Sequence, residues 1–592
     1  MLRLGGLAER AAPLLMAALA GVVSFRRVDD PDTWWHLAAG QWIVAHRAIP
    51  ATDVLSHTVP THPWINVQWA YDVLLYLLFR AGGPTSLIVA AAAGYVLAVW
   101  IVMRILRNAI GNVGAALLVL WALAIVQERL HIRPEMVSFP LLAATLALLE
   151  VGRRRDSRWL WLLPAIVVAW VNSHSLFIIG LFAIGCSIAG AVAARSGLLP
   201  AGWRAGSAWE PEPLRRLLLA GALAALAALA NPFLLRGALF PFKLMSRING
   251  SNPVFATIGE FRRPLDAPFV ALAGSAYVPL LVYGTIVVGL WALFALAPRR
   301  ARPRGPAGVP IGHDLADLLF FAGLAYLSVL AWRNLGLFAL GALPAIARGS
   351  AALAARWPAA DRLAPWSRVA AVPLAVAIGC AGWFVASNRL YEWDGQPREF
   401  GTGILETSGP LNASAFARQA GLPANVYNDL SAGGYLAWDN PCGTGVFVDG
   451  RLEVYDTEFF ESYRATLTSP GAWQQAADRH GINTVIVFHR WRNRHGLIGW
   501  LATNVDWALV YFDEVAVVFV RRQGNEAAIE RARAIFPEWG QRVLERLSGP
   551  VSRWQRPVGR SEALDGYANL MDTLGRPEAA GEARRLLQRL AG

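Results

Sequence analysis

Long apolar runs, separated by short polar segments, dominate the first 390 residues of the chain. Each run approaches the roughly 20 residues that a helix needs to cross a bilayer core. The pattern therefore predicts about eleven membrane-spanning helices. It also predicts an interfacial or re-entrant helix at 68–80, which is apolar but short. The predicted spans cover roughly 8–25, 84–103, 112–127, 136–150, 159–172, 175–194, 216–231, 276–297, 315–331, 335–348 and 368–387.

Beyond residue 390 the apolar residues come in shorter segments, as in a soluble α/β domain. Strands are predicted at 425–430, 445–451, 483–489 and 507–522, and the last of these breaks into a hairpin at Asp513-Glu514. Residues 456–480 have helical spacing between the strands.

The end of the chain predicts a helical tail containing one tetratricopeptide-like helix pair. One such unit is too few for a stable array, so we expect the tail to pack as a cap on the α/β domain and to offer a surface for protein partners. The predicted domains are a membrane domain with its first outside loop at 26–67, an α/β domain and the tail, over 1–390, 391–523 and 524–592.

Basic residues give the chain a net charge of +13, and many of them cluster beside the apolar runs. The positive-inside rule explains this placement better than nucleic-acid binding does. Placing the arginine clusters at 104–107, 153–158 and 299–304 inside requires a cytoplasmic N-terminus and an extracytoplasmic C-terminal domain. The predicted location is a bacterial cytoplasmic membrane, with no nucleic-acid partner.

Several common cofactor-binding and catalytic motifs are absent from the sequence. The three cysteines form no CxxC pair, and no Walker A, GxGxxG, GxSxG or HExxH motif occurs. Nucleotide binding, serine-hydrolase chemistry and a zincin site are therefore not indicated.

The first outside loop carries the most concentrated group of chemically capable side chains. Asp29, Asp30 and Asp32 follow the first predicted span. One hypothesis is a general base, with a divalent cation such as Mg²⁺ or Mn²⁺ held between Asp30 and Asp32. The alternative is a helix N-cap followed by an interfacial aromatic anchor. Three further side chains in this loop would contact substrate: Trp34, Trp35 and His36.

Two further constellations lie at predicted outer ends of spans. The turn at 127–135 is dense in ionisable groups, and arginine forks fit phosphate oxygens in two-point contacts. An internal salt-bridge network is the alternative for this turn. Candidate binding residues in the turn are Glu128, Arg129, His131 and Arg133. Candidates from later segments are His174, Glu260, Arg262, Arg263, Arg333 and Asn334.

Several stretches together resemble a group of bacterial multi-pass membrane proteins that in turn look like GT-C-type glycosyltransferases. The most specific stretches are DPDTWWHLAAGQWIVAHRAIPATDVLSHT in the first loop and VFVDGRLEVYDTEFFESY near residue 450. The others are VNSHSLF, the NPF at 231–233 and NVYNDLSAGGYLAWDNP.

This resemblance implies a membrane enzyme that transfers a sugar from a polyprenyl-phosphate carrier, with inversion, to an extracytoplasmic glycan or lipid acceptor. By position, Asp30 or Asp32 would act as base or position a metal, and Arg133, Arg262 or Arg333 would face the donor phosphate. Three alternatives stay open: a surface-glycan ligase or polymerase that uses a diphosphate donor, a transporter of lipid-linked sugar, and a non-catalytic scaffold of an envelope-polysaccharide complex.

Overall fold

The computed structural model divides the chain into two compact units. The helical unit comprises Met1–Phe25 and Ile88–Ala386, and the mixed unit comprises Arg26–Leu87 and Ser387–Gly592. The first loop therefore belongs to the same unit as the C-terminal residues, a grouping that the sequence did not predict. The residues that the structure describes are 2–197, 199–249, 258–265, 281–286, 288–289, 314–354, 360–395, 397–489, 495–548 and 560–591.

Helices make up most of the described chain, and they are numbered in chain order. Through residue 249 they are α1 (Leu2–Ser24), α2 (Asp32–His46), α3 (Trp69–Val126), α4 (Glu135–Arg154), α5 (Leu163–Val171), α6 (Phe177–Arg195), α7 (Ala201–Ser207), α8 (Pro211–Ala227), α9 (Leu235–Ala238) and α10 (Phe240–Asn249). The remaining helices of the helical unit are α11 (Leu315–Leu330), α12 (Asn334–Gly341), α13 (Leu343–Ala354) and α14 (Ala360–Ala386).

Five described helical stretches are long and apolar enough to cross a membrane, and a sixth is added if α12 and α13, bent by 42°, form one broken span. The prediction of a membrane protein is therefore confirmed, whereas the number of eleven spans stays a prediction. Most of the predicted span at 276–297 lies outside the described residues, and so do all the arginines at 299–304. The five stretches are Arg3–Ser24, Trp69–Arg129, Glu135–Arg154, Phe177–Arg195 and Trp366–Ala386.

The helix α3 is too long for a single crossing. Its 58 residues would extend about 87 Å, against roughly 30 Å for the bilayer core. Gly83 and Gly111 have φ of +61° and +72°, a left-handed conformation that reverses the chain direction. Side chains on both sides of Gly111, such as Val102 and Val119, line one cavity, so the helix folds back there. The two arms match the predicted spans 84–103 and 112–127, and the segment 68–80 forms the beginning of α3.

The mixed unit contains a four-stranded sheet with the strand order β1-β2-β4-β3. Strands β1 and β2 are parallel, and β4 is antiparallel to both β2 and β3. The β3–β4 hairpin turns at Asp513 and Glu514, as predicted. The strands are β1 (Val426–Asn428), β2 (Thr484–Phe488), β3 (Trp507–Phe512) and β4 (Ala516–Arg521).

The predicted strand at 445–451 is wrong. Its backbone hydrogen-bonds to a side chain instead of a neighbouring strand, because Asn428 accepts from the N–H of Phe447 and donates to the carbonyl of Val448. Only an isolated bridge between Ser56 and Val446 remains.

Helices surround the sheet, and α21 supplies apolar side chains to its core. Ile529, Ala532 and Trp539 of α21 pack with Phe416 and Val518. The pair α22–α23 forms the end of the described tail, and its tetratricopeptide-like character stays a prediction. The helices of this part are α15 (Arg389–Asp394), α16 (Leu411–Ala420), α17 (Leu430–Asp439), α18 (Thr457–Thr466), α19 (Pro470–Arg479), α20 (His495–Thr503), α21 (Glu526–Ser548), α22 (Arg560–Thr573) and α23 (Pro577–Ala591).

The reversal at Gly111 is testable by one substitution. We expect Gly111→Ala to destabilise the protein by about 1–2 kcal/mol, because an L side chain is strained in the left-handed conformation. Gly185→Ala is the matched control, since both added methyl groups meet open space and Gly185 lies in ordinary helix. Thermal unfolding of the detergent-solubilised protein measures the difference. Equal midpoints for the two variants would contradict a chain reversal at Gly111.

Candidate substrate-binding sites

Three arginines of the helical unit converge on two glutamates, and these five residues are called the arginine cluster. Arg129 contacts Glu135 at 2.5 Å and Glu260 at 2.7 Å. Arg133 contacts Glu260 at 3.0 Å. Arg333 lies 3.5 Å from Glu260 and 3.8 Å from Glu135. The cluster thus brings together residues that the sequence analysis had selected from three separate segments.

Backbone hydrogen bonds hold the separate segments of the cluster together. The N–H groups of Trp332 and Arg333 donate to the carbonyls of Arg262 and Glu260 at 2.9 and 3.0 Å. The Arg333 guanidinium also lies over the ring of Phe261, 5.0 Å from its centroid. These contacts place a charge from the start of α12 beside a loop about 70 residues earlier in the chain.

The arginine cluster consists of three guanidinium groups and two carboxylates. Burial alone would raise the pKa of Glu260, but Arg133, Arg333 and Arg129 outweigh burial and hold that pKa well below its usual range. Glu260 therefore stays ionised at neutral pH. The exposed fraction of the arginine side chains rises from 9 % at Arg129 to 16 % at Arg133 and 25 % at Arg333. Arg333 is therefore the most exposed of the three arginines.

Neighbouring candidates support this cluster through ordinary structural bonds. Glu128 accepts a hydrogen bond from the indole N–H of Trp332 at 3.0 Å. His174 is buried and bonds through Nδ1 to the Ser138 hydroxyl at 2.7 Å. The Asn334 amide donates to a backbone carbonyl in α11. Of the two other candidates, His131 accepts a hydrogen bond from Tyr95 through its backbone carbonyl, and Arg263 is exposed.

The carboxylates of the first loop have three different environments, all within the mixed unit. Asp29 lies 3.9 Å from both Arg26 and Arg398. Asp30 is buried, and its Oδ1 accepts the N–H of Asp32 at 2.9 Å at the start of α2. Asp32 is only partly buried. The anticipated capping role therefore falls on Asp30, and Asp32 is more accessible than Asp30.

The aromatic residues that follow are core side chains. Trp34 is 1 % exposed and meets the ring of Tyr435 edge-on at 5.0 Å. Trp35 stacks on His36, which bonds through Nδ1 to the Asp72 carboxylate at 2.6 Å. Neither indole presents an open face for stacking on a sugar ring.

A buried ion pair that the sequence did not predict joins the first loop to the VDGR stretch. The Arg451 guanidinium lies 2.7 Å from Asp53 and 2.6 Å from Asp449, and all three side chains are 0 % exposed. It also lies 4.6 Å from the Trp64 ring centroid. These residues are called the Arg451 clasp. No sequence signal connects Asp53 with Arg451 across nearly 400 residues.

The first-loop carboxylates do not form a complete metal site. In the part of the chain that the structure describes, no group of three His, Cys, Asp or Glu side chains is placed to hold a metal ion. Mg²⁺ prefers six oxygen ligands, and one oxygen of Asp30 already accepts a backbone N–H. A divalent cation at Asp30 and Asp32 stays a prediction without a ligand set.

No family model matches the chain, and no curated protein sequence does. Solved structures are similar to it. The structure of ArnT from Cupriavidus metallidurans bound to undecaprenyl phosphate has 15 % identity and a TM-score of 0.47, covering 86 % of this chain and 97 % of that one.

The oligosaccharyltransferase AglB from Archaeoglobus fulgidus, in complex with an inhibitory peptide and a dolichol-phosphate, has 14 % identity and a TM-score of 0.47. That alignment covers 83 % of this chain and 71 % of AglB. A structure of the same enzyme with Zn and sulfate has 13 % identity and the same TM-score, covering 83 % of this chain and 69 % of that one. Both proteins are of the GT-C type that the sequence resemblance predicted.

The Arg451 clasp makes a sharp prediction about stability. We expect Arg451→Ala to destabilise the mixed unit by about 3–5 kcal/mol, because it leaves two buried carboxylates without their cation. The control Arg418→Ala removes an arginine whose side chain is 54 % exposed and pairs with Asp439, and it should cost less than about 1 kcal/mol. Thermal unfolding and hydrogen exchange over 26–67 provide the measurement. Similar losses in the two variants would show that the clasp does not hold the loop.

Proposed function

We propose that the protein is a membrane glycosyltransferase that takes a sugar from a polyprenyl-phosphate carrier and transfers it to a glycan or lipid acceptor. The observation that carries the proposal is the convergence of Arg129, Arg133 and Arg333 around Glu135 and Glu260. In the proposed orientation, the N-terminus is cytoplasmic and the mixed unit faces the periplasm of a bacterial cell.

The charge and position of the arginine cluster support phosphate as its ligand. Three guanidinium groups in one place favour an anion, because guanidinium groups bind phosphate oxygens in two-point contacts. Glu135 begins α4 and Arg129 directly follows α3, so the cluster lies at the ends of apolar helices. A phosphate attached to a long apolar chain would reach such a position with its chain in lipid.

The proposed chemistry needs charge compensation and a base. As the acceptor hydroxyl oxygen attacks the anomeric carbon, the bond from that carbon to the phosphate oxygen breaks and the phosphate leaves with the electron pair. The arginines stabilise the departing charge, and a first-loop carboxylate accepts the hydroxyl proton. Of the two candidates, the greater exposure of Asp32 favours it over Asp30. No step is assigned to a metal.

Binding of the lipid phosphate tests the role of the arginine cluster. We expect Arg133→Gln and Arg333→Gln each to weaken binding of radiolabelled undecaprenyl phosphate about tenfold or more, because each removes a charged hydrogen-bond donor. The control Arg215→Gln changes an arginine with a 75 % exposed side chain in α8 and should bind normally. Unchanged affinity in both cluster variants would leave an internal salt-bridge network as the explanation.

The transfer reaction tests the base. We expect Asp32→Asn to abolish transfer of ¹⁴C-labelled sugar from polyprenyl phosphate to membrane glycoconjugates, while undecaprenyl phosphate binding persists, because an amide cannot accept the proton. Asp30→Asn, measured in parallel, determines whether the buried carboxylate is also required. Full activity in both variants would eliminate a first-loop base.

A further inference from the structure

Gly450, in the VDGR stretch, packs against the first-loop carboxylate more closely than any other residue type would allow. A Cβ atom added at Gly450 would lie 2.3 Å from Asp32 Oδ1 and 3.2 Å from Trp35 Nε1. The first distance is shorter than side-chain carbons tolerate. The position of the Asp32 carboxylate therefore depends on the absence of a side chain at residue 450.

The indole N–H of Trp35 is a buried donor at the same point. Trp35 is 6 % exposed, and among the described residues its Nε1 has no hydrogen-bond partner. A buried donor without an acceptor costs about 1–3 kcal/mol. Trp34 and Trp473 also have buried indole N–H groups without a partner among the described residues, but that of Trp35 lies beside the Asp32 carboxylate. The acceptor for this donor is expected to arrive with a ligand.

The two groups are spaced for one shared partner. Because Asp32 Oδ1 and Trp35 Nε1 lie 2.3 and 3.2 Å from the same point, their separation cannot exceed the sum of these distances. A single oxygen atom can span that separation at ordinary hydrogen-bond lengths. The bridging group must accept from the indole N–H and donate to the carboxylate, which a hydroxyl does and an ionised phosphate does not.

We infer that Asp32 and Trp35 Nε1 form a subsite for a hydroxyl group of the acceptor sugar, and that Gly450 is a positioning residue that seats Asp32 there. This inference rests on the proposed function and requires that the acceptor sugar place one hydroxyl group between Asp32 and Trp35. Its geometry depends on the Arg451 clasp, because the residue after Gly450 is anchored to Asp53 and Asp449. The VDGR stretch thus completes the first-loop site from the C-terminal part of the chain.

Steady-state kinetics of the full chain test the inference against a merely structural role. We expect Trp35→Phe, which keeps a ring but removes the N–H, to raise the acceptor KM about tenfold with an unchanged donor KM. Gly450→Ala should lower kcat at least about tenfold and alter the pH profile, because it displaces Asp32. The control Gly471→Ala, whose added methyl meets only Ser469 Oγ at 4.0 Å, should behave as wild type.

A binding measurement separates failure of this inference from failure of the proposed function. Saturation-transfer NMR with methyl α-glucoside and methyl α-mannoside on the solubilised full chain should give signals for wild type and Gly471→Ala. The signals should fall about tenfold for Trp35→Phe and Gly450→Ala. Glycoside binding that depends on these two residues, without any sugar transfer, would uphold the subsite and overturn the transferase.

Two results would overturn the subsite. One is equal glycoside signals in wild type, Trp35→Phe and Gly450→Ala, or no signal in any of them. The other is that wild type transfers sugar and Trp35→Phe has an unchanged acceptor KM. The indole N–H would then donate to a bound water and not to the acceptor.

Discussion

A fully buried guanidinium is the constraint on which the mixed unit depends. Arg451 has no exposure to solvent, so its charge is tolerable only with carboxylates in contact, and Asp53 and Asp449 supply them. Asp53 comes from the first loop, so the charge requirement ties that loop to the C-terminal residues. The position of Asp32 against Gly450 follows from this attachment, because the two contacts involve adjacent residues of one turn.

The arginine cluster of the helical unit also pairs arginines with carboxylates, but its arginine side chains are more exposed. The ion-paired side chains of the Arg451 clasp have no exposure to solvent, whereas the Arg133 and Arg333 side chains of the arginine cluster are 16 and 25 % exposed. Fully buried ion pairs stabilise a fold. Arginines that keep some exposure to solvent can also bind an anion, which is why phosphate binding is proposed for the arginine cluster and not for Arg451.

Sequence patterns predicted much of the fold because the patterns are local. Apolar runs gave the helices, since a helix in lipid satisfies its own backbone hydrogen bonds. Short runs rich in β-branched and aromatic residues gave β2 and the β3–β4 hairpin with its turn at Asp513 and Glu514. The same reasoning failed at 445–451, although its apolar residues suit a strand. There the Asn428 side chain hydrogen-bonds to the Phe447 N–H and the Val448 carbonyl, which a neighbouring strand would otherwise pair with.

For the candidate sites, the sequence by itself determined which side chains could bind or react with a substrate. These are the Asp30 and Asp32 pair, the arginines at span ends, and Arg333, which has almost no loop to solvate its charge. The tertiary structure decided which of them meet. It joined Arg129, Arg133 and Arg333 through Glu260, and it paired Asp53 with Arg451. Such pairings depend on long-range contacts between segments that lie tens to hundreds of residues apart in the chain. The charge of a residue does not specify which oppositely charged residue the fold will bring next to it.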